Sequence, residues 1–197
     1  MLRGSSHLLR INFLSCLLAI CAISQTAPPR VEELMRRADA NDSLAQTQLG
    51  ELYMAGRGLP QDYKQALQWF QKAARHGVAE AQYNLCVLYG SGLGVPKDEA
   101  ESLNWYRKAA QQNYPFAQHN LGVIYKEGRL VPQDYAQAAE WFRKAAEQGE
   151  AHAQTNLGLA YHNGEGVPQD FEQEVVWYRK AAEQGLAQAE YNLGGLL

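Results

Sequence analysis

The four tryptophans of the chain, Trp69, Trp105, Trp141 and Trp177, stand 36 residues apart. Pro60, Pro96, Pro132 and Pro168 keep the same interval, as do Asp62, Asp98, Asp134 and Asp170, and as do Ala45, Ala81, Ala117, Ala153 and Ala189. A sequence that repeats itself at this interval folds as a stack of like units, each covering the apolar face of the next. A fold built around one long-range core is thereby excluded.

Within a unit the apolar residues recur at helical spacing. Ala117, Leu121, Ile124 and Tyr125 trace a first helix, and Ala138, Trp141, Phe142, Ala145 and Ala146 trace a second. Both patterns follow a 3.6-residue period, and neither alternates as a strand does. Between the helices lies G-x-G-x-P-x-D, as at Gly92, Gly94, Pro96 and Asp98. The glycines permit a left-handed backbone, the proline stops the first helix, and the aspartate caps the second. The second helices end at Gly77, Asn113, Gly149 and Gly185, residue types suited to a left-handed cap. The tryptophans, at helical spacing beside paired alanines, read as core.

Counted from the alanines, the repeats span 45–80, 81–116, 117–152 and 153–188, with a partial fifth at 189–197 holding a first helix alone. Backwards, Asn41 aligns with Gly77, so 31–44 reads as an N-terminal capping helix, with Val31 to Ala40 a second helix without its first. Glu32, Glu33, Arg36 and Arg37 suit an end face in water. Leu193, Leu196 and Leu197 have no second helix to cover them, so homotypic stacking through 189–197 is one expectation.

Residues 1–24 have a different character. Arg3 and Arg10 precede an apolar run of 11 residues, Phe13 to Ile23, without an acidic residue. That order matches a secretory signal peptide with cleavage after Ser24, where Ala22 and Ser24 supply the small residues. The run is well short of the roughly 18 to 20 residues of a membrane-spanning helix, and Ile20 before Cys21 argues against lipid attachment. Residues 25–30 then form a linker. The expected mature chain has 173 residues, 16 basic and 21 acidic, for a net charge of −5. It is located in the periplasm or secreted, and without a Lys/Arg block it lacks the footprint of a nucleic-acid binder.

The unit A-x-x-N-L-G-x-x-Y-x-x-G-x-G-V-P-x-D, then W-[YF]-x-K-A-A-x-x-G, is seen as AQTNLGLAYHNGEGVPQD and VVWYRKAAEQG from Ala153 onwards. It resembles the Sel1-like repeat, a relative of the tetratricopeptide repeat. The resemblance implies an all-α, right-handed α/α superhelical solenoid acting as a protein-interaction scaffold, with exported bacterial members similar to envelope adaptors. Cys86 departs from the pattern where other units have Gly50, Gly122, Gly158 and Gly194; Leu130 replaces a turn glycine and calls for an adapted turn; Ser102 and Glu174 take alanine positions, and Glu174 is placed to open the packing of the fourth unit. A cysteine-rich branch of the family, with reported β-lactam binding or hydrolysis, pairs two cysteines per unit. No such pair exists here.

Motifs for chemistry are lacking. His76, His119, His152 and His162 form no metal-ligand spacing, and GSGLG at 90–94 lacks the lysine and preceding strand of a phosphate loop. Cys86 has no base in register and reads as a small packing residue, and Asn41 of N-D-S is accounted for as a helix cap rather than a glycosylation acceptor. The expectation is a non-enzyme without metal or cofactor that binds a protein or peptide partner. Competing readings are an envelope hydrolase or cell-wall ligand binder, and a self-stacking array.

Partner contact is assigned by helical geometry. Two residues after the repeat alanine, a side chain points away from it at 100° per residue. Thr47, Tyr83, His119 and Thr155 hold that position, and Met54, Gly90, Lys126 and His162 lie further along the same side. The recurrent Asn84, Asn120, Asn156 and Asn192 have two readings, a ladder for an extended peptide or ties to a neighbouring backbone. The candidate contact residues are thus Tyr83, Asn84, His119, Asn120, Lys126, Thr155, Asn156 and His162.

Overall fold

The computed structural model describes residues 29–195. The signal-peptide segment, most of the linker, Leu196 and Leu197 lie outside these residues. The described residues form ten helices and no strands: α1 (Pro29–Asp39), α2 (Ser43–Ala55), α3 (Tyr63–Arg75), α4 (Ala79–Ser91), α5 (Glu99–Gln111), α6 (Pro115–Glu127), α7 (Tyr135–Glu147), α8 (Ala151–Asn163), α9 (Phe171–Ala182) and α10 (Ala187–Gly194). Each packs chiefly on the helix before it and the helix after it. The architecture is an all-α solenoid in which α2, α4, α6, α8 and α10 are the first helices of successive units.

The caps follow the residues named from sequence. Asp62, Asp98, Asp134 and Asp170 each accept backbone N–H bonds in the first turn of a second helix. Gly77, Asn113, Gly149 and Gly185 take φ of 79°, 61°, 90° and 77°, and Asn41 takes 65°. Asparagine tolerates the left-handed region, which explains its two uses here.

The second turn glycine has a further role. A Cβ on Gly94 would lie 2.5 Å from the Tyr63 carbonyl carbon, and one on Gly166 would overlap the backbone of Tyr135. The turn therefore presses on the start of the preceding unit's second helix. Leu130 holds this place at φ 68°, beside 74°, 71° and 75° for Gly58, Gly94 and Gly166. The expected adaptation of that turn is thus absent: the backbone keeps the left-handed conformation, and crevices lie between Leu130 and the start of α5.

Ala45, Ala81, Ala117, Ala153 and Ala189 are fully buried, as are Leu49, Leu85, Leu121 and Leu157. The bulk of the core comes from Phe70, Phe142 and Tyr178, one residue after the tryptophans. A Cβ on Gly50, Gly122 or Gly158 would strike these rings within 2.7 Å. The reading of all four tryptophans as core needs correction: only Trp177 is buried, and the others are half-buried. Lys72, Lys108, Lys144 and Lys180 cover their rings at 3.7, 3.8, 4.3 and 4.0 Å. The lysine of K-A-A is a lid three residues on, one turn along the same face.

Candidate functional site

The side of the first helix opposite its alanine is not the free side. Thr47 is buried and its hydroxyl donates to the Ser43 carbonyl, while Thr155 bonds Ala151 in the same way. Tyr83 and His119 are half-buried. The cause is the solenoid itself: a first helix meets the preceding unit on its alanine side and its own second helix, with the next unit, on the opposite side. Helical counting from one stripe treats the second interface as solvent. The free arc lies between the two interfaces, and Leu44, Glu80, Phe116, His152 and Gln188, one residue before each alanine, are exposed in every unit.

The candidate residues nearest this arc are brought together by contacts 37 residues apart. Asn120 donates to the Tyr83 hydroxyl at 3.3 Å, and the Asn156 amide nitrogen lies 3.0 Å from His119 Nε2. At these two positions the asparagines bond side chains of the preceding first helix, which corrects the reading of them as ties to a neighbouring backbone. Asn84 is buried and beside Glu51. Lys126 and His162 sit apart from this group, towards the inter-helix turns. His162 Nδ1 lies 2.9 Å from Glu174 Oε1, and Glu174 is buried with its second oxygen unpartnered. An open hollow of about 590 Å³ lies beside this pair, also lined by Tyr178, Tyr191, Asn192 and Gly195.

Two clusters underlie the free arc. Tyr83 packs against Tyr106, Tyr114 and Phe116 with ring centroids 6.1, 5.3 and 6.3 Å away, and Phe116 is 50% exposed. Burial raises the Tyr83 phenol, opposed by the Asn120 hydrogen bond, and pushes Tyr114 up to about 12. In the next unit His119 lies 5.9 Å from both Phe142 and His152. Burial lowers its pKa, with the Glu150 charge opposing and His152 adding to the shift. Glu150 caps α8 through the His152 and Ala153 amides. Burial and nearby Glu80 raise Glu51. Among the described residues no three His, Cys, Asp or Glu side chains are placed to hold a metal, and no helix is long and apolar enough to cross a membrane. Cys86 is free and buried, its thiol donating to the Gln82 carbonyl, and burial raises its pKa.

A second periodic network went unread in the sequence. Gln46, Gln82, Gln118 and Gln154 are buried and donate to the carbonyls of Ala38, Ala74, Ala110 and Ala146. Gln112, Gln148 and Gln184 in turn donate to Gln82, Gln118 and Gln154 at 2.6, 2.7 and 2.9 Å. His76 stands where the first unit would need such a glutamine, and Gln46 Oε1 is buried without a partner. The 36-residue spacing of these glutamines was the available signal.

Helix pairs stacked in sequence order, joined by capped turns of fixed length, define an α-solenoid repeat protein. The Sel1 repeat family matches residues 43–78, 79–114, 115–150 and 151–186, and the chain belongs to it. A Sel1 repeat protein from Oxalobacter formigenes is similar at 41% identity and a TM-score of 0.81, over 85% of this chain and 48% of that one. A protective antigen of uropathogenic Escherichia coli strains is 36% identical, with a TM-score of 0.53, over 83% of this chain and 43% of that chain. Cysteine rich protein B of Helicobacter pylori is 25% identical, with a TM-score of 0.53, over 70% and 96%. The chain thus spans about half the length of the first two. No curated protein matches.

Proposed function

We propose that the chain is an exported, non-enzymatic scaffold whose free arc of first helices holds a segment of a partner protein. One observation carries the reading: on a backbone regular from unit to unit, the exposed row changes from Leu44 to Glu80, Phe116, His152 and Gln188. The repeat's packing rule does not fix these residues, although Phe116 and His152 also lean on Tyr83 and His119, and their differing chemistry gives each unit a separate contact. Tyr83, Asn84, His119, Asn120, Thr155 and Asn156 support the row from beneath; Lys126 and His162 extend the surface towards the turns. Sel1 repeats serve as protein-interaction scaffolds in general, and this assignment follows that pattern.

The test is a quantitative pull-down from the cell envelope with tagged protein beside a Phe116→Ser/His152→Ser variant. Both residues are exposed, so the variant keeps its helical signal. A partner held by the first and lost from the second is expected; equal capture by both refutes the assignment. N-terminal sequencing of the exported protein, expected to begin at Gln25, tests the address.

A further inference from the structure

The repeat supplies three internal controls for each unit, and six departures from it meet in one place. Gly90 stands where the other units have Met54, Lys126 and His162. Lys97 replaces Gln61, Gln133 and Gln169, and Glu99 replaces Tyr63, Tyr135 and Phe171. Ser102 stands in for Ala66 and Ala138, Cys86 for the packing glycine, and Leu130 for the turn glycine. All six line a single crevice of about 280 Å³ between the second and third repeats. One unit further on, the space bounded by Lys126, Tyr135, Ala138 and Phe142 is closed.

Compensating drift in a packed interior exchanges volume for volume. Here Gly90 and Glu99 remove bulk that the other units keep, Cys86, Ser102 and Leu130 add some back, and a space of about 280 Å³ still stays open. A hydrogen bond is surrendered as well. Gln61, Gln133 and Gln169 donate to the carbonyls of Met54, Lys126 and His162 at 2.9, 2.8 and 2.7 Å. Lys97 instead pairs with Glu99 at 2.6 Å on the rim.

The walls specify a ligand. Val87, Ile124 and Leu130 are apolar. Ser102 is occupied with the Cys86 carbonyl at 2.9 Å. Tyr106 lines the crevice half-buried, and its hydroxyl makes no hydrogen bond among the described residues. Arg129 stands at the rim, its nearest carboxylate, Glu127, 3.9 Å away. Lys97 and Glu99 neutralise each other, and Glu127 is not among the residues lining the crevice, so among the described residues the Arg129 guanidinium is the one cation of the wall without a close partner; its planar fork matches a carboxylate. We propose that this crevice binds a small apolar carboxylate, its anionic end on Arg129 and the Tyr106 hydroxyl and its body against Val87, Ile124 and Leu130. A free organic acid and the C-terminal residue of a polypeptide share this chemistry.

The test is titration of isotopically labelled full-length protein, followed through its backbone amide resonances, with N-acetyl-leucine, N-acetyl-leucinamide and an alanine-rich peptide ending in a free leucine carboxylate. Saturable shifts at Val87, Ser91 and Leu130 are expected with N-acetyl-leucine and not with its amide. Tighter binding of the peptide assigns the site to polypeptide C-termini, and binding of the free acid alone assigns it to small acids. Arg129→Gln weakens binding at least about tenfold. Gly90→Met/Ser102→Ala, which copies the first unit's Met54 and Ala66, abolishes it while the resonances of other units stay in place. No saturable shift up to about 10 mM of either carboxylate, equal binding of acid and amide, or unchanged binding by the double variant overturns the proposal.

Discussion

His76→Gln should stabilise the protein, an uncommon outcome for a change at an exposed position. In the second, third and fourth units a glutamine at the end of the second helix donates to a buried glutamine oxygen at 2.6 to 2.9 Å. In the first, His76 leaves Gln46 Oε1 buried and unpaired, on a residue with no exposed surface. An unsatisfied buried acceptor costs about 1–3 kcal/mol, and fixing a long side chain returns up to about 1.5 kcal/mol of that gain. The expected net is about 1 kcal/mol, or a Tm increase of roughly 2–4 °C for a domain of this size. The reverse change, Gln148→Ala, orphans Gln118 and should lower Tm by several degrees. Thermal unfolding followed by circular dichroism at constant pH measures both. If His76→Gln leaves Tm unchanged while Gln148→Ala is neutral, the ladder is geometry without energetic weight.

Two glycines with similar φ should respond unequally to alanine. Gly185→Ala, with open space around its Cβ, should lose about 1–2 kcal/mol to left-handed strain alone, and Gly166→Ala more than about 3 because it also meets the Tyr135 backbone; denaturant melts separate them. Phe142→Ala should cost about 3–5 kcal/mol, and Trp141→Ala less, since its ring is only half-buried beneath Lys144. His119 has a lowered folded pKa, so its contribution is fully present above its unfolded value near 6.5 and is lost as pH falls through the folded value. Melting temperature should therefore decline on acidification below about pH 6.5, and His119→Gln should flatten that decline; an unchanged slope contradicts the assignment.

What could be read in advance was what the repeat writes four times over. Helix positions, the aspartate caps and the left-handed Gly77, Asn113, Gly149 and Gly185 each follow from a local backbone requirement that one residue type meets best. The interaction face was harder, because its position depends on two packing interfaces of the same helix. Tyr83 and His119 were placed opposite the alanine stripe, where the next unit covers them; Phe116 and His152, one residue before the alanine, escaped notice. The glutamine ladder joins residues 30 apart, a distance that helical counting never compares. The convergence of Gly90, Lys97, Glu99 and Leu130 is likewise invisible until adjacent units are stacked. Residues that obey the repeat announce themselves through periodicity, whereas residues that break it acquire meaning only in three dimensions.

The free arc of the first helices is the central claim, and site-specific photo-crosslinking tests it most directly. A photoreactive amino acid placed at Phe116 reports on the arc, and one at the exposed Glu140 of α7 reports on the second-helix surface. Irradiation in cells should join the protein to a discrete partner from position 116 and not from position 140. Equal crosslinking from both, or a partner captured only from 140, would place the interaction on the other side of the solenoid and contradict the account.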